Sequence, residues 1–281
     1  MSGWLRRTLV VPAAAVLACA AAVATAGAQA PDLGVRAIPE FAAVRSSTPF
    51  RVAVRLDVPA GWHIYWINPG AGGMASTLSW KLPEGIRGGT TAWPYPETEG
   101  AGAEGSNVYR GTVVLFSSFA SAPHLAGPVR LAADLVVGMC RVQCVRVERT
   151  VAVELPLRHR PGEEPTAEWN AVALAERAVP VEVNDRRVRA GASGDSVRLV
   201  ISGLPLAPAA GTWVTWFPLE PGQTSVVAEA RVADTGVMIS LPRAVLSGPP
   251  PGRLTGVLVG AHPPGVPPAQ RPFEVDVPVA P

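Results

Sequence analysis

Cys140 and Cys144 stand with three residues between them in Val136-Val137-Gly138-Met139-Cys140-Arg141-Val142-Gln143-Cys144-Val145-Arg146-Val147, and a strand-like run enters and leaves this segment. In one straight strand, residues four apart lie about 13 Å from each other, too far for their sulfurs to bond. If the chain turns back at Arg141-Val142-Gln143, the two sulfurs face each other across a hairpin. The pair therefore asks for two adjacent antiparallel strands, with a dithiol or a disulfide at their tip.

The only other cysteine, Cys19, lies in an N-terminal leader. Arg6 and Arg7 precede the apolar, Ala-rich run Leu9 to Val23, and small residues follow. Ala24-Thr25-Ala26 and Ala26-Gly27-Ala28 both fit the small-x-small cleavage rule, so residues 1–28 read as a secretory signal. A second reading takes Val16-Leu17-Ala18-Cys19 as a lipoprotein box with Cys19 lipidated. No later stretch is long and apolar enough to span a bilayer. Export implies an oxidising compartment, in which a cysteine pair is a disulfide by default. The 24 basic residues include a single lysine, Lys81, and are spread along the chain with a net charge of +2. No basic stripe interleaved with aromatics appears, so nucleic-acid binding is not expected.

The chain holds 28 glycines and 30 prolines, which punctuate short apolar runs. That texture belongs to an all-β sandwich. Arg51 to Val58 alternates, with Val52, Val54, Leu56 and Val58 on one face. Trp62, Ile64 and Trp66 share a face in the next run, and Asn68-Pro69-Gly70 marks a turn. Thr112 to Phe116, Val129 to Val137 and the set Val145, Val147, Val151, Val153, Leu155 follow. Thr166 to Ala178 is the one good helix candidate, with Thr166 as cap and Trp169, Val172, Ala173 and Glu176 along one side. Strand patterns resume at Val197 to Ile201, Thr212 to Phe217, Val226 to Val232, Val237 to Leu241, Leu254 to Val259 and Phe273 to Val279. Two β domains are expected, at 31–160 and 180–281, joined by a linker with a short helix at 161–179.

The cysteine pair admits a structural and a functional reading. As a staple it closes so short a loop that it removes only about 2 kcal/mol of unfolded-state entropy. As a reversible dithiol it has Arg141 between the sulfurs and Arg146 just beyond, and positive charge favours the nucleophilic thiolate. Met139 beside Cys140 would suit a soft ion such as Cu(I). The four histidines, His63, His124, His159 and His262, show no metal-ligand spacing, and no metal or cofactor is expected. In Gly61-Trp62-His63-Ile64-Tyr65-Trp66, Trp62 and Trp66 are core candidates. His63 and Tyr65 fall on the opposite face, where exposed aromatics would shield the dithiol or dock a partner. No nucleophile elbow, phosphate loop or zinc-protease motif appears, so hydrolase chemistry has no support.

An ordered set of motifs carries a family resemblance. Gly61-Trp62-His63-x-Tyr65-Trp66-x-Asn68-Pro69-Gly70, Leu78-Ser79-Trp80-x-Leu82-Pro83-Glu84-Gly85, Trp93-Pro94-x-Pro96 and Tyr109-Arg110-Gly111, followed by Cys140 and Cys144, resemble the N-terminal periplasmic region of the DsbD/ScsB thiol:disulfide interchange proteins over about residues 35–157. More loosely, Thr215-Trp216-Phe217-Pro218 and Leu254-Thr255-Gly256-Val257-Leu258-Val259 resemble the second domain of ScsB-like ectodomains. The resemblance implies immunoglobulin-like sandwiches. It implies that Cys140 and Cys144 accept electrons from a membrane electron-transfer protein and pass them to periplasmic thioredoxin-like or disulfide-bearing partners. This sequence departs from the family at Arg141, where an acidic residue is usual, and at Val145-Arg146, where Ile-Pro is usual. The family's transmembrane and thioredoxin-like domains are absent, so a free-standing ectodomain is expected.

The reading is a periplasmic thiol–disulfide interchange protein, a thiol–disulfide oxidoreductase using Cys140 and Cys144, with Arg141 tuning thiolate character and His63 and Tyr65 shielding or docking. Two alternatives stay open: a non-catalytic Ig-like binding module with a structural disulfide, and a copper-handling periplasmic protein.

Overall fold

The structure, a computed structural model, describes residues 32–100, 102–158, 164–183, 187–202, 212–233, 236–245, 252–260 and 271–280. The leader at 1–28 with Cys19, and the histidines His159 and His262, lie outside the described residues.

The first part of the chain is a two-sheet sandwich. Its strands are β1 (Gly34–Pro39), β2 (Pro49–Asp57), β3 (His63–Gly70), β4 (Thr77–Lys81), β5 (Ile86–Ala92), β6 (Glu97–Glu99), β7 (Ser106–Tyr109), β8 (Thr112–Ser121), β9 (Val129–Cys140) and β10 (Cys144–Leu155). One sheet runs β1-β2-β8-β5, and the other runs β10-β9-β3-β7-β6 with β4 also paired to β9. The alternation in Arg51 to Val58 has the expected cause: Val54 and Leu56 meet Leu115, Leu135, Val137 and Met139 between the sheets. Burying such side chains contributes about 1.5–3 kcal/mol each. Met139 is thus a core residue on the strand face opposite Cys140, which removes it from any soft-metal set with the cysteines.

The outer face of the first sheet is covered as well. Helix α1 (Ala167–Val172) continues into a 3-10 turn at Ala173–Ala178. Thr166 Oγ1 accepts a hydrogen bond from Trp169 N at 3.1 Å, the cap expected from the sequence. Trp169 and Val172 pack on Ile38, Ala53, Val114 and Phe116. The Arg51 guanidinium lies over the Trp169 ring at 4.8 Å and pairs with Glu40 at 2.7 Å and Glu176 at 3.1 Å. Those carboxylates raise its pKa, led by the hydrogen bonds it donates to Glu40.

The second part holds β11 (Val181–Val183), β12 (Val188–Ser193), β13 (Ser196–Ile201), β14 (Thr212–Pro218), β15 (Val226–Ala233), β16 (Gly236–Pro242), β17 (Arg253–Gly260) and β18 (Phe273–Ala280). They form one continuous sheet, β11-β18-β12-β13-β16-β15-β14-β17, that closes on itself where β17 pairs β18. Its core gathers Trp216, Leu199, Ile201, Ile239, Leu254 and Val275.

The two parts meet at β3. Phe217, Val257 and Val259 join the core that holds Trp66, and the Trp66 and Phe217 rings meet edge to face at 6.1 Å. The run Asn68-Pro69-Gly70 does not leave the strand. Asn68 is fully buried, and its amide donates to Pro218 O at 2.8 Å and to Gln223 O at 2.9 Å. Its Oδ1 accepts from Gly70 N and Gly222 N. The bend expected there is taken up by Gly70, which has a φ of 85°.

Candidate thiol–disulfide site

Strands β9 and β10 form a hairpin of twelve consecutive cross-strand pairs, from Val129 with Leu155 to Cys140 with Cys144. The turn is Arg141-Val142-Gln143, closed by a hydrogen bond from Arg141 N to Gln143 O at 3.3 Å. Cys140 and Cys144 are joined by a disulfide across that tip, with Cα atoms 4.1 Å apart. The two ends of the bond differ. Cys140 is buried, at 3% exposure, whereas Cys144 and the turn are exposed, Val142 at 91%.

Strand β3 pairs the other edge of β9, with His63 opposite Cys140 and Ile64 opposite Met139. Residues opposite each other in an antiparallel ladder project to the same face. His63, Cys140 and Cys144 therefore form a row across three strands, and Tyr65 follows His63 on that face. The remaining alternate positions, Ile64 and Trp66, face the core.

Tyr65 is not exposed, contrary to the expectation from strand alternation: it is buried, together with Val108 and Cys140. The cause is the segment after β3. Ala71 N donates to Gly105 O at 3.0 Å, Ser76 N to Trp66 O at 3.2 Å, and Ser76 Oγ to Tyr65 O, which hold residues 71–76 back over β3. Gly73 then lies so close that a Cβ there would sit 2.3 Å from the Tyr65 ring. On β9, a Cβ at Gly138 would come within 3.1 Å of the same ring. The phenol oxygen ends 3.4 Å from Cys140 Sγ and 3.9 Å from Cys144 Sγ. Neither disulfide sulfur carries a hydrogen, so the tyrosine O–H is the donor. Burial raises the Tyr65 pKa above its ordinary value, and the Glu99 charge adds to that.

His63 meets Tyr65 edge to face, ring centroids 5.3 Å apart. Its Nδ1 lies 3.2 Å from Glu99 Oε2, and Arg110 holds Glu99 at 2.8 Å and Glu97 at 3.2 Å. Burial lowers the His63 pKa; Glu99 opposes that shift and Arg110 adds to it. Nδ1–H donates to Glu99, while Nε2 is buried with no partner among the described residues.

Arg141 is exposed and sits with its guanidinium carbon 5.6 Å from the Trp62 ring centroid. Trp62 is only half-buried, so it serves this stack as well as the core. Arg146 pairs with Glu148 at 2.6 Å and donates to Met74 Sδ at 3.7 Å. The row joins four of the residues singled out in the sequence, His63, Tyr65, Cys140 and Cys144, while Arg141 lies in the turn and stacks on Trp62 instead. Sequence reasoning missed Gly73, Met74, Glu99, Arg110 and Gly138. Only Gly138 carried a usable signal, since glycine inside a strand marks a close approach. Among the described residues, no group of three or more His, Cys, Asp or Glu side chains is placed to hold a metal ion, and no helix is long and apolar enough to cross a membrane.

Comparison with known proteins agrees with the geometry. Residues 34–156 match the family model for the N-terminal region of thiol:disulfide interchange protein DsbD. No curated protein matches. Among solved structures, the N-terminal periplasmic domain of ScsB from Proteus mirabilis superposes with a TM-score of 0.52 at 14% identity, covering 87% of this chain and 92% of that one. The DsbD N-terminal domain of Neisseria meningitidis in the reduced form matches with a TM-score of 0.26 at 17% identity, over 46% of this chain and 90% of that one. The ScsB likeness supports the fold, an all-β chain of immunoglobulin-like sandwich type. The match over residues 34–156, with the Cys140–Cys144 disulfide inside it, supports a thiol–disulfide interchange domain in this part of the chain.

Proposed function

We propose that this chain is a periplasmic thiol–disulfide interchange protein that passes reducing equivalents through Cys140 and Cys144. The observation that carries this reading is the unequal placement of the two sulfur-bearing residues. Cys144 is exposed at a hairpin tip, where a partner can reach it, and Cys140 is buried behind it. A staple for a hairpin already paired over twelve positions has little to add, about 2 kcal/mol for so short a loop.

In this scheme a thiolate of a dithiol donor attacks Cys144 Sγ. The Cys140–Cys144 bond breaks and its electron pair leaves on Cys140. The donor's second thiolate then displaces Cys144, so the donor is oxidised to a disulfide and this chain holds two thiols. The same steps in reverse reduce the disulfide of an acceptor. The donor is a membrane electron-transfer protein, and the acceptor a periplasmic thioredoxin-like or disulfide-bearing protein. Arg141, kept beside the turn by its stack on Trp62, favours the thiolate form of the pair. His63 and Tyr65 shield the buried sulfur.

Trapping tests this. Cys140→Ser leaves the exposed sulfur without its resolving partner and should accumulate mixed disulfides on non-reducing gels of the native host. Cys144→Ser leaves only a buried thiol and should not. Adducts from neither variant, with a wild-type disulfide that also resists a thioredoxin-like reductant, would overturn the proposal.

A further inference from the structure

We propose that Tyr65 is a catalytic residue of this exchange, donating a hydrogen bond to the Cys140 sulfur as that sulfur leaves as a thiolate. The inference rests on reading the pair as an interchange site, and it assigns the tyrosine a chemical role rather than a covering one.

When an incoming thiolate bonds to Cys144 Sγ, the electron pair of the broken S–S bond collects on Cys140 Sγ. Cys140 is 3% exposed, so bulk water is poorly placed to solvate that charge. The Tyr65 hydroxyl is in place before the reaction starts, 3.4 Å from Cys140 Sγ and nearer to it than to Cys144 Sγ at 3.9 Å. Toward a neutral disulfide sulfur such a contact is weak. Toward a thiolate it becomes charge-assisted and shortens. An interaction stronger in the transition state than in the ground state lowers the barrier.

The surroundings hold the donor in position. The ring is confined by Gly73 on one side and Gly138 on the other, each too close to accept a Cβ without movement. The His63 ring closes a third side at 5.3 Å. Burial keeps the phenol protonated well past neutral pH, so it remains a donor over the range in which thiolates form. Gly73 and Gly138, which look like sites of mere flexibility, are the two walls of a slot fitted to one ring.

Two measurements test it. In Cys144→Ser, the titration of the Cys140 thiol, followed by thiolate absorbance, should move up by about one pH unit when Tyr65→Phe is added. Introducing 3-fluorotyrosine at position 65, a stronger donor with the ring kept, should move it down. In the otherwise wild-type chain, Tyr65→Phe should slow reduction of the disulfide by dithiothreitol at least about tenfold at fixed pH, with adduct formation through Cys144 in Cys140→Ser retained. A purely structural role would leave the thiol titration unmoved and would not reverse sign with the fluorinated ring. If Cys140→Ser still traps partners but neither substitution shifts the titration or the rate, the tyrosine role is wrong and the interchange reading stands. If Cys140→Ser traps nothing and the wild-type disulfide resists reduction, both fail.

Discussion

Asn68 donates its side-chain amide to the carbonyl of Pro218, 2.8 Å away and 150 residues along the chain. With the bonds to Gln223 O, Gly70 N and Gly222 N, every donor and acceptor of this fully buried side chain is used. One strand therefore divides its labour by position. His63 and Tyr65 build the candidate site, Ile64 and Trp66 fill the core, and Asn68 ties β3 to the turn that follows β14.

Asn68→Ala should be among the more destabilising single changes in the molecule. It strands the amide of buried Gly70 and the carbonyl of buried Pro218, each at a cost of about 1–3 kcal/mol, while water can reach the partners at exposed Gly222 and half-buried Gln223. A loss of about 3 kcal/mol is expected, or a fall in Tm of roughly 6–12 °C for a chain of this size. Urea denaturation read by tryptophan fluorescence checks it. A loss under about 1 kcal/mol would mean that the network is not a structural tie.

Reduction should leave the fold standing. The disulfide closes a loop of very few residues, while β9 and β10 keep twelve cross-strand pairs and bury Val137, Val147 and Val151 between the sheets. Melts with and without reductant should differ by only a few degrees, from about 2 kcal/mol of loop entropy. Loss of the first sandwich on reduction would favour a structural staple.

Much of this arrangement was legible in the sequence, for a local reason. The spacing of Cys140 and Cys144 forces a reversal, the alternation from Val145 to Leu155 fixes which face is buried, and Thr166 marks its helix through a bond made three residues on. What stayed hidden depends on distant chain segments. Alternation puts His63 and Tyr65 on one face but says nothing of the 71–76 segment that covers Tyr65. Glu99 and Arg110 are ordinary surface charges in sequence, and only the pairing of β6, β7 and β3 brings them to His63. Asn68-Pro69-Gly70 has the composition of an exposed turn. A polar side chain in such a run is equally suited to capturing another loop's backbone, and nothing local separates the two.

Two neighbouring glycines should behave differently on substitution. Gly73 has a φ of 108°, and a Cβ there meets the Tyr65 ring at 2.3 Å, whereas a Cβ at Gly72 meets nothing within 4 Å. Gly73→Ala must strain its backbone and push the tyrosine aside, at a cost of about 2 kcal/mol. Gly72→Ala should stay within about 0.5 kcal/mol of the parent. Paired denaturation curves decide it, and equal effects would show that the slot around Tyr65 is loose.

The pH dependence of stability should carry a contribution from His63. Burial, the largest influence, lowers its pKa in the folded chain, with Glu99 opposing and Arg110 reinforcing. In the unfolded chain it titrates near the ordinary value of about 6.5. Between the folded and unfolded pKa the unfolded state binds more protons, so stability rises with pH across that window. The contribution is complete above about pH 6.5 and is lost as pH falls toward the folded pKa, where protonation must be forced on a ring whose Nε2 is buried without a partner among the described residues. Melts of the wild type should therefore fall between about pH 7.5 and pH 5.5. His63→Gln keeps a polar group but cannot titrate, and it should flatten that part of the profile while leaving the fall at lower pH, where carboxylates such as Asp57, held low by Arg55, become protonated. A His63→Gln profile parallel to wild type down to pH 5.5 would show that the ring's burial is not felt by folding. A profile with the opposite slope would mean that Glu99 outweighs burial and that the folded ring is charged.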